Sequence, residues 1–275
     1  MNKIGLALGG GGARGLAHIP ILEVFDEMSL QPQCISGTSA GAIVGALYAS
    51  GMSGAEIRAW VDELIIQDGS PIWEVFQKRQ ALKSIEFFDL SFQQSGLFKG
   101  NRFIKELEKA LGKTTFETLN IPLKIVASDY WTSEQVVFES GDLLPAIRAS
   151  MSLPGVFTPI AVGKRLLVDG GGVNPVPHDI LTDCDVVIAV DVMGFPADTK
   201  QKPPALFRSV IGMFDIMQNT IIEDRLKASP PNLYLKPDIR GFEILDFNKA
   251  EAIYEQTESA VQELQHWLTE LLDSF

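Results

Sequence analysis

The sequence predicts an α/β fold, three layers in α/β/α order around a mostly parallel central sheet. Two observations carry that expectation. Short apolar runs that read as strands alternate with stretches of helical spacing over most of the length. One of the runs, Val186–Val192, is apolar but for Asp191 near its end, as expected of a strand covered on both faces. No linker divides the chain, so residues 1–275 are expected to form one domain, with its motifs in about 1–195 and C-terminal helices in about 205–275.

Ile4–Leu8 is a short apolar run ended by glycines, and Leu16, Ile19, Leu22, Phe25 and Met28 follow at helical spacing. Pro20 falls inside that pattern and implies a kink or a late helix start. Gln33–Ser36 reads as a second strand. Ala42–Ser50 reads as a helix, with Gly51 placed for a left-handed cap. Gly41, Gly45 and Ala49 leave one face of that helix almost without side chains, so something packs very close to it. Ser53 to Glu56 fits a capping box ahead of the stripe Ile57, Trp60, Val61, Leu64 and Ile65. From Gly69 to Gly100 the pattern is irregular and rich in phenylalanine, which fits either a poorly periodic piece of core or a lid. Asn101 is placed to cap a helix carrying Ile104, Leu107 and Leu111.

Further on, Ile121–Ser128 and Gln135–Glu139 read as strands that could pair around Asp129–Ser133. Asp142–Met151 reads as a short helix and Arg165–Val168 as a strand. Pro196–Pro204 is a loop. Leu206–Ala228 and Lys249–Leu272 are long amphipathic helices.

Composition excludes some functions. A net charge of −12 argues against nucleic acid, which needs a basic face, and disfavours strongly anionic membranes, although a local basic patch could override the total. Cys34 and Cys184, the only cysteines, lie in apolar strand-like surroundings and read as buried thiols. No secretory signal is credible at the N-terminus, and no apolar run approaches the roughly 18 to 20 residues that span a bilayer. Cytoplasm is the default location, with peripheral contact to a membrane left open.

Three glycine-rich turns carry the chemistry. Gly9–Gly15, "GGGGARG", joins the first strand to a helix, and successive N–H groups there form an anion-binding concavity. It satisfies G-x-G-x-x-G, yet the acidic residue that a dinucleotide site needs at the end of the second strand is replaced by Gly37-Thr38-Ser39. A phosphate or the oxyanion of acyl transfer would suit the loop equally well. Gly37-Thr38-Ser39-Ala40-Gly41 fits the G-x-S-x-G nucleophile elbow, in which glycines relieve the crowding around a strained serine. Asp169-Gly170-Gly171 ends a strand far along the chain. It is either an ordinary turn or a base brought to Ser39, since carboxyl ends of strands in an open α/β sheet converge on one crevice.

In this order the three motifs resemble the patatin-like phospholipase family. The stretch from Ala149-Ser150 through Pro154, Phe157 and Pro159 also looks like the one that precedes D-G-[AG] in bacterial members. The resemblance implies a hydrolase of carboxylic esters in lipids, of phospholipase or lysophospholipase type. Ser39 would be the nucleophile and Asp169 the general base. Gly10, Gly11, Gly12, Ala13 and Arg14 would form the oxyanion hole, and Gly15, Gly37, Gly41, Gly170 and Gly171 would be the motif glycines. Such a dyad needs no cofactor, and no cluster of Asp, His or Cys has the spacing of a metal site.

The partner implied is a lipid or acyl-ester substrate. The Ile85–Phe98 region and the Leu206–Ile222 helix are the expected lipid contacts. An acyltransferase or thioesterase on the same dyad, or a non-catalytic lipid-binding regulatory module, remain as alternatives, and oligomeric state is not readable. A Ser-His-Asp triad would have to use His178, which shares a loop with Asp169. His18 is expected to be structural beneath the glycine loop, and His266 to play no part.

Overall fold

The computed structural model describes residues 3–67, 95–195 and 206–273. Its strands are β1 (Ile4–Leu8), β2 (Cys34–Thr38), β3 (Leu123–Asp129), β4 (Gln135–Phe138), β5 (Ile160–Val162), β6 (Arg165–Asp169), β7 (Val186–Val190) and β8 (Leu233–Leu235). The helices are α1 (His18–Glu27), α2 (Ala40–Ala49), α3 (Gly54–Gln67), α4 (Ser95–Leu111), α5 (Leu143–Ser150), α6 (Leu206–Ala228) and α7 (Ala250–Asp273).

The body of the sheet runs β3-β2-β1-β7-β8, with every pairing parallel. On one face Leu6, Leu8, Ile35, Ile125, Ile188 and Val190 pack against the apolar sides of α1, α2, α3 and α7 in the main core. On the other, Ala7, Ala189 and Met193 meet Ile222 of α6 together with Val176 and Leu181. Helices therefore lie on both faces of a sheet whose central strands are apolar, which is the three-layer arrangement expected.

One edge departs from the parallel pattern. β4, β5 and β6 are antiparallel, and the register around β3 explains where they go. Ile125 and Val126 pair with both β4 and β2, while Ala127 and Ser128 pair with both β4 and β6. β2 and β6 therefore share one edge of β3 in tandem, running toward each other, and their carboxyl ends meet between Val126 and Ala127. The residues that follow β2 and close β6 are Ser39 and Asp169.

Several local expectations are met. The β3–β4 hairpin forms around Asp129–Ser133. Gly51 has φ +109°. Ser53 and Glu56 exchange the two bonds of a capping box, at 2.8 and 3.2 Å. Pro20 marks a late start: Gly12–Ala17 is a 3-10 turn, and α1 begins at His18, so the proline lies in the first turn, where its missing N–H leaves no bond unmade.

Other expectations shift. α4 begins at Ser95, ahead of the Asn101 expected to cap it. The strands β5 and β8 are three residues each, too short to show a period. Cys34 and Cys184 are half-buried rather than buried, because they lie at the amino edge of the sheet where its cover ends. A Cβ on Gly5 would come within 2.8 Å of Cys184 Sγ. Burial, with the neighbouring Cys184, pushes the Cys34 thiol up to about 11. The phenylalanine-rich stretch Ile85–Phe98 and the loop Pro196–Pro204 fall on residues whose backbone or side chains lie outside those described.

Candidate active site

Ser39 lies between β2 and α2 with φ 53° and ψ −118°, a backbone conformation that L residues rarely adopt and that stores of order 1–3 kcal/mol. The surroundings hold it there. A Cβ on Gly37 would come within 2.7 Å of Ala42 Cα and the Gly41 carbonyl, and one on Gly41 would overlap the Leu8 carbonyl. These glycines let α2 start directly on top of β1, and the bare helix face is the contact surface. The Ser39 N–H donates to Ser150 Oγ at 2.8 Å, which ties the turn to the end of α5.

Asp169 reaches this turn by a route the sequence did not suggest. It closes its strand, as the sequence suggests, but β6 is antiparallel to β3, and the end-on meeting with β2 brings the two residues together. After Asp169 the chain has to leave the sheet at once. A Cβ on Gly170 would overlap the Val126 carbonyl and lie 3.1 Å from Thr38 Cγ2. Ser39 Oγ donates to Asp169 Oδ2 at 2.7 Å, and the Gly171 N–H donates to Oδ1 at 2.8 Å. The Asp169 backbone is fixed as well, its N–H donating to Ser152 O at 3.0 Å and its carbonyl accepting from Ser128 Oγ at 2.7 Å.

Asp169 is only 4% exposed. Burial pushes its carboxyl up to about 6, against the opposing pull of the hydrogen bonds from Ser39 and Gly171. It is thus a better proton acceptor than a solvated carboxylate, yet is still ionised at neutral pH.

The glycine loop lies against Ser39, with a Cβ on Gly10 falling 3.4 Å from Ser39 Cβ. Gly15 abuts Ala40, where a Cβ would collide with that residue's own. Most N–H groups of the loop are already used. Gly9 donates to Val190 O at 3.0 Å, Gly10 to Pro175 O at 2.9 Å, Ala13 to Ile244 O at 2.8 Å and Arg14 to Gly11 O at 3.2 Å. Among the described residues the N–H groups of Gly11 and Gly12 have no acceptor. Gly12 has φ +59°, and a Cβ there would overlap Ile244, so glycine is required twice over.

The histidines stand apart from Ser39 Oγ. His18 is fully buried beneath the loop, its Nε2–H donates to the Gly9 carbonyl at 2.8 Å, and burial lowers its pKa to about 4. His178 is buried. Its Nδ1 lies 2.9 Å from Val176 O and its Nε2 2.9 Å from Ser229 O, so carbonyls occupy both nitrogens. His266 is exposed on α7, 3.3 Å from Glu270. The sequence did not assign roles to Ser150, Ser152 or Ser128, nor to Asp215 and Gln218 of α6, which reach the site from the far end of the chain.

The strained serine between β2 and α2 separates this sheet from one that holds a dinucleotide, where an acidic residue would end β2. It defines the class as α/β proteins with a serine elbow. Within that class the chain belongs to the patatin-like phospholipase family, whose family model matches residues 6–182.

An uncharacterised NTE family protein of Mycobacterium bovis is 32% identical over 234 residues, covering 81% of this chain and 61% of the relative. Lysophospholipase NTE1 of Kluyveromyces lactis is 29% identical over 282 residues, 92% of this chain and 18% of that protein. Neuropathy target esterase sws of Drosophila melanogaster is 33% identical over 195 residues, 70% of this chain and 13% of that protein. The crystal structure of VipD from Legionella pneumophila shares the fold, with a TM-score of 0.50 at 14% identity over 95% of this chain and 67% of VipD. The chain thus spans about three fifths of the mycobacterial relative's length and less than a fifth of the yeast and fly proteins.

Proposed function

We propose that the chain hydrolyses acyl esters of lipids, of phospholipid or lysophospholipid type, with Ser39 as nucleophile and Asp169 as general base. The observation that carries this reading is the 2.7 Å bond from Ser39 Oγ to a buried Asp169 carboxylate, made on a strained strand-to-helix turn. The yeast relative's name, lysophospholipase, supports the substrate class.

In the first step Ser39 Oγ attacks the ester carbonyl carbon while its proton passes to Asp169 Oδ2. The negative charge that develops on the carbonyl oxygen needs preorganised donors, and the Gly11 and Gly12 N–H groups are the two in the loop without an acceptor among the described residues. Gly10, Ala13 and Arg14 keep the loop in shape through their own bonds. As the tetrahedral intermediate collapses, Asp169 returns its proton to the departing alcohol, leaving an acyl-Ser39 ester. Water then attacks that ester with Asp169 again taking a proton, and Ser39 is regenerated.

The lipid surface would meet the edge of the sheet where β1 and β2 end. α6 leads into β8, which is parallel to β7, so its first turns lie on that edge. There it exposes Val210, Met213, Ile216 and Met217, and the β3–β4 turn exposes Tyr130 and Trp131. Among the described residues no helix is long and apolar enough to cross a membrane.

A fluorophosphonate probe tests the chemistry. It should label one site, Ser39, and Ser39→Ala should abolish labelling and lower esterase activity by about 10³-fold or more. Asp169→Asn should be nearly as damaging, and His178→Ala should change kcat little. Intact hydrolysis by Ser39→Ala would overturn the reading, and a larger loss from His178→Ala than from Asp169→Asn would replace the dyad with a triad.

A further inference from the structure

Arg14 is the one charged residue of the glycine loop, and it is buried, at 7% exposure. Two of its donors converge on a single acceptor. Its backbone N–H and its side-chain Nε each lie 3.2 Å from the Gly11 carbonyl oxygen. A peptide unit is planar and trans, so its C=O and its N–H point in opposite directions. Whatever holds the Gly11 carbonyl therefore also aims the N–H of Gly12, one of the two free donors in the loop.

The other end of the guanidinium is held from far away in sequence. Arg14 Nη2 donates to both carboxylate oxygens of Asp215 on α6, at 3.2 and 3.4 Å. Asp215 is tied in turn to its own helix, its carbonyl accepting from Asn219 Nδ2 at 2.9 Å, and Asn219 Oδ1 accepts from Lys236 Nζ at 3.3 Å. One turn along α6, Gln218 is buried against the base turn, where a Cβ on Gly171 would overlap its side-chain amide. The helix thus touches both halves of the site. Asp215 also lies outside residues 6–182, the part of the chain that the family model matches.

We propose that Asp215 is a positioning residue for the oxyanion donors: by fixing the Arg14 guanidinium it sets the Gly11 carbonyl and so the direction of the Gly12 N–H. It touches no reacting atom. The inference rests on the hydrolase reading above, and its effect is confined to charge that develops in the transition state. Loss of the Asp215 charge leaves substrate binding intact and misdirects one donor. Losing such a donor outright lowers kcat by about 10²- to 10³-fold, and misdirecting it should lower kcat by about 10- to 10²-fold.

The test compares Asp215→Asn, Asp215→Glu, Arg14→Lys and the Arg14→Lys/Asp215→Asn pair on a soluble short-chain ester and with a fluorophosphonate probe. Asp215→Asn should lower kcat and the rate of Ser39 labelling in parallel, with KM within about twofold and the pH midpoint set by Asp169 unmoved. Asp215→Glu keeps the charge and should restore most of the activity. The paired variant should be no slower than the slower single variant, because both act through one contact.

A merely structural brace would lower the unfolding temperature of Asp215→Asn while kcat and labelling stayed at wild-type values, and that result overturns the proposal. Additive losses in the paired variant overturn it too. If Asp215→Asn does not fold, Asp215→Glu carries the comparison, since a carboxylate one methylene longer displaces the guanidinium without removing the pair. A smaller, parallel drop in kcat and labelling supports the proposal, and unchanged rates overturn it. A wild-type chain that neither labels nor turns over any ester fails the hydrolase reading itself, and this inference with it.

Discussion

Asp169 is where the competing demands of stability and chemistry meet in one side chain. Its carboxyl is held near 6 chiefly by burial, with the Ser39 and Gly171 bonds pulling the other way. As the proposed base it must be ionised, so kcat/KM on a soluble ester should rise with pH through a single ionisation near 6 and level off above it. A midpoint near 4 would instead describe a solvated carboxylate that burial does not govern. The same shift acts on folding with the opposite consequence. A carboxyl whose folded pKa lies above its unfolded value favours the fold while protonated, and that contribution is lost as pH rises from about 4 through about 6. At pH 8 the wild-type chain therefore carries an ionised buried group. Asp169→Asn should be the more stable protein there, by up to about 2 to 3 kcal/mol, with the gap closing toward pH 4. Urea unfolding at the two pH values checks this, and an Asn variant less stable at pH 8 would refute it. At this scale the glycine motifs around Ser39 and Asp169 were legible, because a strained turn and a close passage restrict residue type locally. Ser150 and Asp215 were not, since they come from 111 and 201 residues away. A serine or an aspartate on an ordinary helix carries no local mark of such a partner.

Among the elements, α2 decides whether the site can exist. Gly41 and Gly45 lie on its bare face but are not equivalent. A Cβ on Gly41 would overlap the backbone carbonyl of Leu8, the last residue before the glycine loop, whereas one on Gly45 would meet side-chain atoms of Ile35, Leu8 and Leu123 at 3.1 to 3.6 Å. A side chain can yield by a few tenths of an ångström and a strand backbone cannot. Gly41→Ala should therefore destabilise the protein by about 3 kcal/mol or more and, by lifting α2 from β1, abolish probe labelling of Ser39. Gly45→Ala should stay within about 1 kcal/mol of wild type and keep labelling, as the gain in helix propensity offsets the tighter packing. Equal effects from the two substitutions would mean that the close approach of α2 to β1 is not what holds the elbow. The alternation of strands and helices in the parallel body was readable because each element repeats its own period. The antiparallel edge was readable only in its β3–β4 hairpin and in the strand that becomes β6. β5 is three residues long, and the head-on meeting of β2 with β6 is a matter of register along β3, which no local pattern encodes.

The whole molecule carries a net charge of −12, and that field acts on any lipid surface it approaches. The edge that bears Ser39 is locally different from the average. The exposed apolar residues of α6 between Val210 and Met217 share their stretch of helix with a single charge, Asp215, and that charge is paired to Arg14. Tyr130 and Trp131 are the kind of side chains that settle at the polar boundary of a bilayer. Such an edge suits an electrically neutral interface, while the rest of the surface resists an anionic one. Repulsion of this kind is screened over about 8 Å at physiological ionic strength. Hydrolysis in vesicles of phosphatidylcholine should accordingly exceed that in vesicles enriched in phosphatidylglycerol at low salt, and the difference should shrink as salt is raised. Replacing Met213 and Met217 together with Gln should lower turnover on phosphatidylcholine vesicles by about 10-fold or more through the apolar area no longer buried, while hydrolysis of a soluble short-chain ester stays near wild type. Faster turnover on the anionic vesicles at low salt would refute the field argument. An equal loss on the soluble ester would show that the two methionines support the fold of α6 rather than its contact with lipid.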